Sequence, residues 1–229
     1  MQVQFQRCAG ATLLAFCALT GAASAPVHAQ KISPAEKILF QSKHFGNIKR
    51  PAALNYNFHQ AANGADAFDD KVSINILKRH ADGTASVAAH FLTGAQEISI
   101  PPIEHAQGNP VILGFLERDI AEMKRLTGGA TGYFRKRIRL ALAASEVRVK
   151  EIQVTYGGRQ VSAREITIYP YLDDPLKERL GKYASKGYVF ITSEAVPGTL
   201  YRAYTTMVTD DAARLVATNM AIASDDKLN

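Results

Sequence analysis

The chain has no tryptophan, and of its 229 residues only two are cysteine, Cys8 and Cys17, both close to its start. That placement leaves the body of the chain without a disulfide staple or a thiolate metal site. No G-x-S-x-G elbow occurs, no glycine-rich loop ends in Lys-Ser/Thr, and no two histidines flank a glutamate at i,i+4. His44, His59, His80, His90 and His105 are scattered, so no metal and no cofactor is expected. Charge of one sign is also scarce: 27 basic against 21 acidic residues is a modest excess. It suits solubility, or attraction to an anionic surface, better than nucleic-acid binding. The acidic doublets Asp69-Asp70, Asp173-Asp174, Asp210-Asp211 and Asp225-Asp226 are poor carboxylate pairs. Neighbours on a strand point to opposite faces, and each doublet sits where a turn or cap is expected.

One apolar run is present, from Ala9 to about Ala23 after Arg7. It is short for a membrane span and reads as a secretory signal. Val27-His28-Ala29 offers the small −3/−1 pair of a cleavage site, so residues 1–29 are expected to be removed. A cut after Ala25 would leave Pro26 following it, and Phe16 disfavours lipidation at Cys17. Residues 30–229 are then expected to form a single domain in the periplasm or outside the cell.

Within that domain, Ser33-Pro34-Ala35-Glu36 has the form of a capping box with proline at the first helical position. Lys43 to Arg50 reads as a basic, solvated connector. A period of two follows: Leu54, Tyr56 and Phe58, then Val72, Ile74 and Ile76, then Val87, Ala89 and Phe91, then Ile98 and Ile100, stopped by Pro101-Pro102. Four strands with short connections predict an antiparallel meander.

Asn109-Pro110 opens a helix whose Ile112, Phe115, Leu116, Ile120, Met123 and Leu126 share a face, with Gly128-Gly129 at its end. A second helix is expected from Tyr133, with Phe134, Ile138, Ala141 and Leu142 apolar. Glu117, Arg118, Asp119 and Arg125 on the first helix form a candidate charge network. Arg135, Arg137 and Arg139 on the second make a basic face suited to an acidic partner or a peripheral contact with an anionic membrane. Glu117, Asp119, Arg135 and Arg139 together are the candidate site if the protein is an enzyme acting on an anionic substrate.

Beyond the helices, Gly157-Gly158 predicts a two-residue type I′ hairpin loop, since both central residues need φ > 0. Tyr156 then opposes Arg159, and Val149 opposes Ile166. Lys150–Glu165 and Glu151–Arg164 face each other where the apolar residues change faces. The base, Val147, Val149, Ile166 and Ile168, points one way; the tip, Ile152, Val154, Tyr156, Val161 and Ala163, points the other. One half joins a core. The other needs a second cover, so Ile152, Val154, Tyr156 and Val161 are candidate contacts for a ligand or partner.

Asp174-Pro175 precedes a short helix, Tyr188 to Thr192 reads as an interior strand, and Val196-Pro197-Gly198-Thr199 suits a type II turn before a strand from Leu200 to Val208. Ala212 to Ala223 fits either an alanine-rich helix or a last strand; the strand is favoured because Asp210-Asp211 then makes a turn. The fold class is therefore α+β: a curved, largely antiparallel sheet of about eight or nine strands with two central helices on one face.

At Phe115 to Asp119 (FLERD), Thr127 to Gly129 (TGG), Tyr133 to Arg139 (YFRKRIR) and Val196 to Gly198 (VPG), the chain resembles a family of uncharacterised secreted proteins of proteobacteria. The resemblance implies export and brings no activity with it. At fold level alone, the expected sheet is similar to the half-barrel of periplasmic lipoprotein carriers. The expected function is non-enzymatic: binding of an apolar, lipid-like ligand or of an envelope protein, with a structural subunit of an envelope complex as a further reading.

Overall fold

A computed structural model describes residues 32–63, 65–144, 147–208 and 214–223. The signal segment, Glu146, Asp210-Asp211 and Asp225-Asp226 lie outside the described residues. Ser33 caps α1 (Pro34–Glu36): its hydroxyl accepts from Glu36 N–H, and the Glu36 carboxylate accepts from Ser33 N–H. The capping box is as expected, but one α-turn gives way at once to a π-helical stretch, Lys37–Gln41.

The connector after it is not the solvated loop expected. Lys43, Lys49 and Arg50 are exposed, whereas His44, Phe45 and Ile48 are buried. A turn through 44–47 carries these three inward, and the lysines mask them in the sequence.

Ten strands form one curved antiparallel sheet. They are β1 (Ala52–Gln60), β2 (Phe68–Arg79), β3 (Ala85–Phe91), β4 (Ile98–Ser99), β5 (Ile103–Ala106), β6 (Arg148–Tyr156), β7 (Arg159–Ile168), β8 (Gly187–Thr192), β9 (Leu200–Val208) and β10 (Arg214–Ile222). The order is β4-β3-β2-β1-β10-β9-β8-β7-β6, with β5 also on β3. The count exceeds the expectation because Pro101-Pro102 interrupts pairing along β3 instead of ending it: β4 and β5 lie on either side of the prolines. The last segment is a strand. It lies between β1 and β9, so the two ends of the domain meet in mid-sheet.

Two helices, α2 (Val111–Thr127) and α3 (Thr131–Ala143), cover one face; a single turn, α4 (Lys177–Leu180), precedes β8. α2 begins one residue later than expected, with Pro110 at the cap position, and Asn109 before it accepts from Val111 N–H through its side-chain oxygen at 3.2 Å. The helix lies close on the sheet, since a Cβ at Gly114 would come within 2.4 Å of the Phe91 ring. Phe115 meets Phe190 edge-on with centroids 6.1 Å apart. Leu54, Tyr56, Phe58, Val72, Ile74, Ile76, Tyr188 and Phe190 make the sheet's contribution to this core.

At one end, the loop 193–199, buried except at Glu194 and Ala195, is tied in from three sides. Asn47 Nδ2 donates to Val196 O, Asn109 Nδ2 donates to Gly198 O and to the Tyr56 hydroxyl, and Thr199 Oγ1 donates to His44 O. The type II turn is as expected, with Gly198 at φ 70°. No side chain fits there: a Cβ would lie 2.5 Å from Leu54. His44 accepts at Nδ1 from Asn109 N–H, so Nε2 carries the proton and donates to Ile38 O at 2.7 Å. Burial holds this neutral imidazole below the ordinary histidine pKa.

Candidate ligand-binding surface

The β6–β7 hairpin has the register read from its sequence, from Val149↔Ile166 to Tyr156↔Arg159, around Gly157 and Gly158 at φ 56° and 75°. Its base joins the main core through Ile166 and Ile168. Ile152, Val154 and Ala163 of its tip belong to a separate cluster on the opposite face, with Val189, Ile191, Tyr201 and Tyr204, whereas Tyr156, expected in that set, packs against the main core and Val161 joins neither cluster. The charges at the crossover oppose each other in register but form no ion pairs; Arg164 turns instead to Glu194 at 3.4 Å.

A hydrogen bond reveals how the sheet bends here. The Tyr201 hydroxyl donates to Thr155 O at 3.2 Å. Tyr201 is on β9 and Thr155 on β6, three strand spacings away, or about 14 Å in a flat sheet. A tyrosine side chain spans that gap only if the hairpin tip arches back over β8 and β9. The tip is long enough to arch because its pairing with β8 ends at Arg164↔Thr192.

The result is a trough on the face away from the helices. Its floor is Val189, Ile191, Tyr201 and Tyr204, and one wall is Ile152 and Val154. At one end it opens into a recess of about 680 Å³ that reaches from Arg148 and Lys150 on β6 to Val216 on β10 and is also lined by Ala141 and Ala144 at the end of α3. At the other end a pocket of about 220 Å³ lies under the tip, between Tyr156 and Arg202. Ile152, Val154, Tyr156 and Val161 all remain half-buried.

The helix charges do not gather into one site. Glu117 and Asp119 are two residues apart, about 200° around the helix, and face opposite ways. Glu117 takes a bidentate pair from Arg135 at 2.8 and 2.6 Å on the surface. Asp119 is buried against the sheet, where Lys186 Nζ lies 2.5 Å from Oδ1 and the Tyr188 hydroxyl donates to Oδ2 at 2.6 Å. Burial, then the charge of Asp119, holds Tyr188 well above the ordinary tyrosine pKa, so it stays a donor. Tyr171, 3.1 Å from the Tyr188 hydroxyl, is raised for the same reasons.

Arg118 and Arg125 share Glu122, at 3.6 and 2.6 Å. Burial disfavours the Glu122 carboxylate, but the hydrogen bonds and charge of Arg125, helped by Arg118, outweigh it and hold its pKa low. Arg137 turns inward to Asp174 at 2.6 Å, where Tyr133 also donates. The expected network of Glu117, Arg118, Asp119 and Arg125 is thus three separate pairings, and the basic face loses Arg137 to the interior. The Gly128-Gly129 segment packs on the Phe134 ring as an interhelix turn.

Sequence reasoning missed Lys186 and Asp174 as partners. The signal for Lys186 is a lysine set directly before a strand apolar on both faces; its acid lies 67 positions away. His59 pairs with Asp69 at 2.8 Å, and β2 separates it from His90 on β3. Among the described residues no three His, Cys, Asp or Glu side chains group as metal ligands, and no helix is long and apolar enough to cross a membrane.

Fold and surface define an α+β protein whose open antiparallel sheet is roofed by helices on one face and hollowed on the other. In comparisons with known proteins, no family model and no curated protein matches the chain.

Proposed function

We propose that this is an exported, periplasmic protein that binds an apolar, lipid-like ligand in the trough over β8 and β9, without catalysing a reaction. One observation carries the reading. A sheet face turned away from its core helices is ordinarily polar, yet this one carries an apolar cluster, Val189 and Ile191 buried beneath half-buried Ile152, Val154, Tyr201 and Tyr204, that borders an open recess at Val189 and Tyr204. Concave, mostly apolar surfaces with a few polar groups at the rim are the usual form of ligand sites. Arg148, Lys150 and Glu165 supply such a rim. Export rests on the N-terminal segment and on the resemblance to secreted proteobacterial proteins. Titration with the uncharged fluorophore N-phenyl-1-naphthylamine tests the site. Saturable enhancement that Val154→Asp weakens at least tenfold, with little change in thermal stability, supports it; unsaturable enhancement, or enhancement indifferent to Val154→Asp, counts against it.

A second reading has its own observation. Among the described residues β6 pairs only with β7, which leaves the outer edge of this nine-residue strand for a strand from an envelope partner. Co-purification of a partner lost on Gln153→Pro, with probe binding retained, would favour it.

A further inference from the structure

On the helix-covered side, α2, α3 and α1 with its π-helical extension all contribute to the lining of one gap. The gap is a pit of about 280 Å³ walled by Phe40, Leu113, Leu116, Ile120, Ile138 and Leu142. Four charged residues share its lining: Glu36, Glu117, Arg135 and Arg139. Three of them are engaged. Glu117 and Arg135 neutralise each other through a bidentate pair, and Glu36 is turned back to the Ser33 N–H in its capping box. Arg139 is exposed and has no ion pair or hydrogen bond with the described residues. Leu113, 54 % exposed, extends the apolar wall onto the surface.

We infer that this pit is a second binding site, specific for a single alkyl chain bearing an anionic head, with the chain among Leu116, Ile120, Ile138 and Leu142 and the head on Arg139. The volume lies just below the range of about 300–1,000 Å³ typical of ligand cavities, which suits one slender chain. An alkyl chain replaces water on an almost wholly apolar wall, worth about 0.8 kcal/mol per buried methylene. A guanidinium without a carboxylate partner gives the head a charge-assisted bond. A cationic head would meet Arg139, while the one carboxylate without a cation, Glu36, is turned back to the Ser33 N–H. The site is independent of the trough, which lies across the sheet.

The test uses the full chain and a diazirine-bearing laurate, with crosslinked peptides mapped by mass spectrometry. Label is expected on the peptides holding Leu113–Ile120 and Ile138–Leu142. It should fall at least fivefold in Arg139→Glu, persist in Arg139→Lys, and be competed by laurate but not by dodecyltrimethylammonium. Asn57→Ala, on the far face, serves as the control for handling and folding. Diazirine-bearing phosphatidylglycerol in vesicles forms a second arm: label there without label from the free acid makes a lipid layer the source, and label from the free acid makes the source a soluble amphiphile. Label confined to the strands, Arg139→Glu within twofold of the unsubstituted chain, or equal competition by the cationic detergent overturns the proposal. Label confined to the strands would still support the trough, so the two sites succeed or fail separately.

Discussion

Strands β6 to β9 present two faces to two different surroundings. Toward the helices, Ile166, Ile168, Tyr188 and Phe190 are buried, and the charge placed among them, Asp119, has both a cation and a hydroxyl on its oxygens. Away from the helices, Ile152, Val154, Tyr201 and Tyr204 are as apolar but only half-buried; Tyr204 lines the recess and Tyr201 the pocket under the tip. Farther along that same outer face, β1 and β2 show Asn55, Asn57, His59, Lys71 and Asn75, the composition of a face meant for water. The outer face is thus polar over these two strands and carries an apolar cluster over β6 to β9, bordered by Arg148, Lys150 and Glu165.

Breaking the closed face should have the largest effect on stability. Lys186→Met leaves the Asp119 carboxylate buried without its cation, at a cost of about 3–5 kcal/mol, and the double change with Asp119→Leu should recover most of that loss in chemical denaturation. Phe190→Ala opens a cavity under α2 and should cost about 3–5 kcal/mol. On the open face the ranking inverts: Val154→Asp should cost about 1 kcal/mol in stability and yet lower probe affinity at least tenfold.

The pH profile sharpens the same contrast, because the titrating groups belong to the closed side. His44 is neutral in the fold below its ordinary value of 6.5, so the unfolded chain binds the extra proton. Stability should therefore fall as pH drops below 6.5, by up to about 1.4 kcal/mol per unit, as read from denaturation midpoints. Tyr171 and Tyr188 are raised from 10.0, so the unfolded chain loses their protons first, and stability should fall again above pH 10. The smallest effect belongs to the polar strands: Asn57→Ala should change stability by no more than about 0.5 kcal/mol and leave probe binding as it was.

Much of this architecture was legible in local pattern. Alternation marked β1 to β3, two adjacent glycines set the hairpin register, and the reversal of its apolar residues separated a core half from an outer half. What stayed hidden depends on distance along the chain. Asp119 looked like a member of a helix-surface network because Glu117, Arg118 and Arg125 surround it in sequence. Its true partner, Lys186, comes from the start of β8. The loop 43–50 looked solvated because basic residues stand at both its ends, Lys43 before and Lys49-Arg50 after the three buried ones, and part of what holds it lies about 150 residues on, where Thr199 Oγ1 donates to His44 O and Val196 O accepts from Asn47. The arch of the hairpin over β9 left no sequence trace at all, since Thr155 offers a backbone carbonyl to Tyr201.

The most direct measurement is a map of backbone amide shifts on titration with N-phenyl-1-naphthylamine. Shifts concentrated at Ile152, Val154, Ala163, Ile191 and Tyr204, with Asn55, Asn57 and Ser73 unmoved, are the predicted result. Shifts spread evenly over both halves of the outer face, or confined to β1 and β2, would contradict the claim that this hollow is built to hold an apolar ligand.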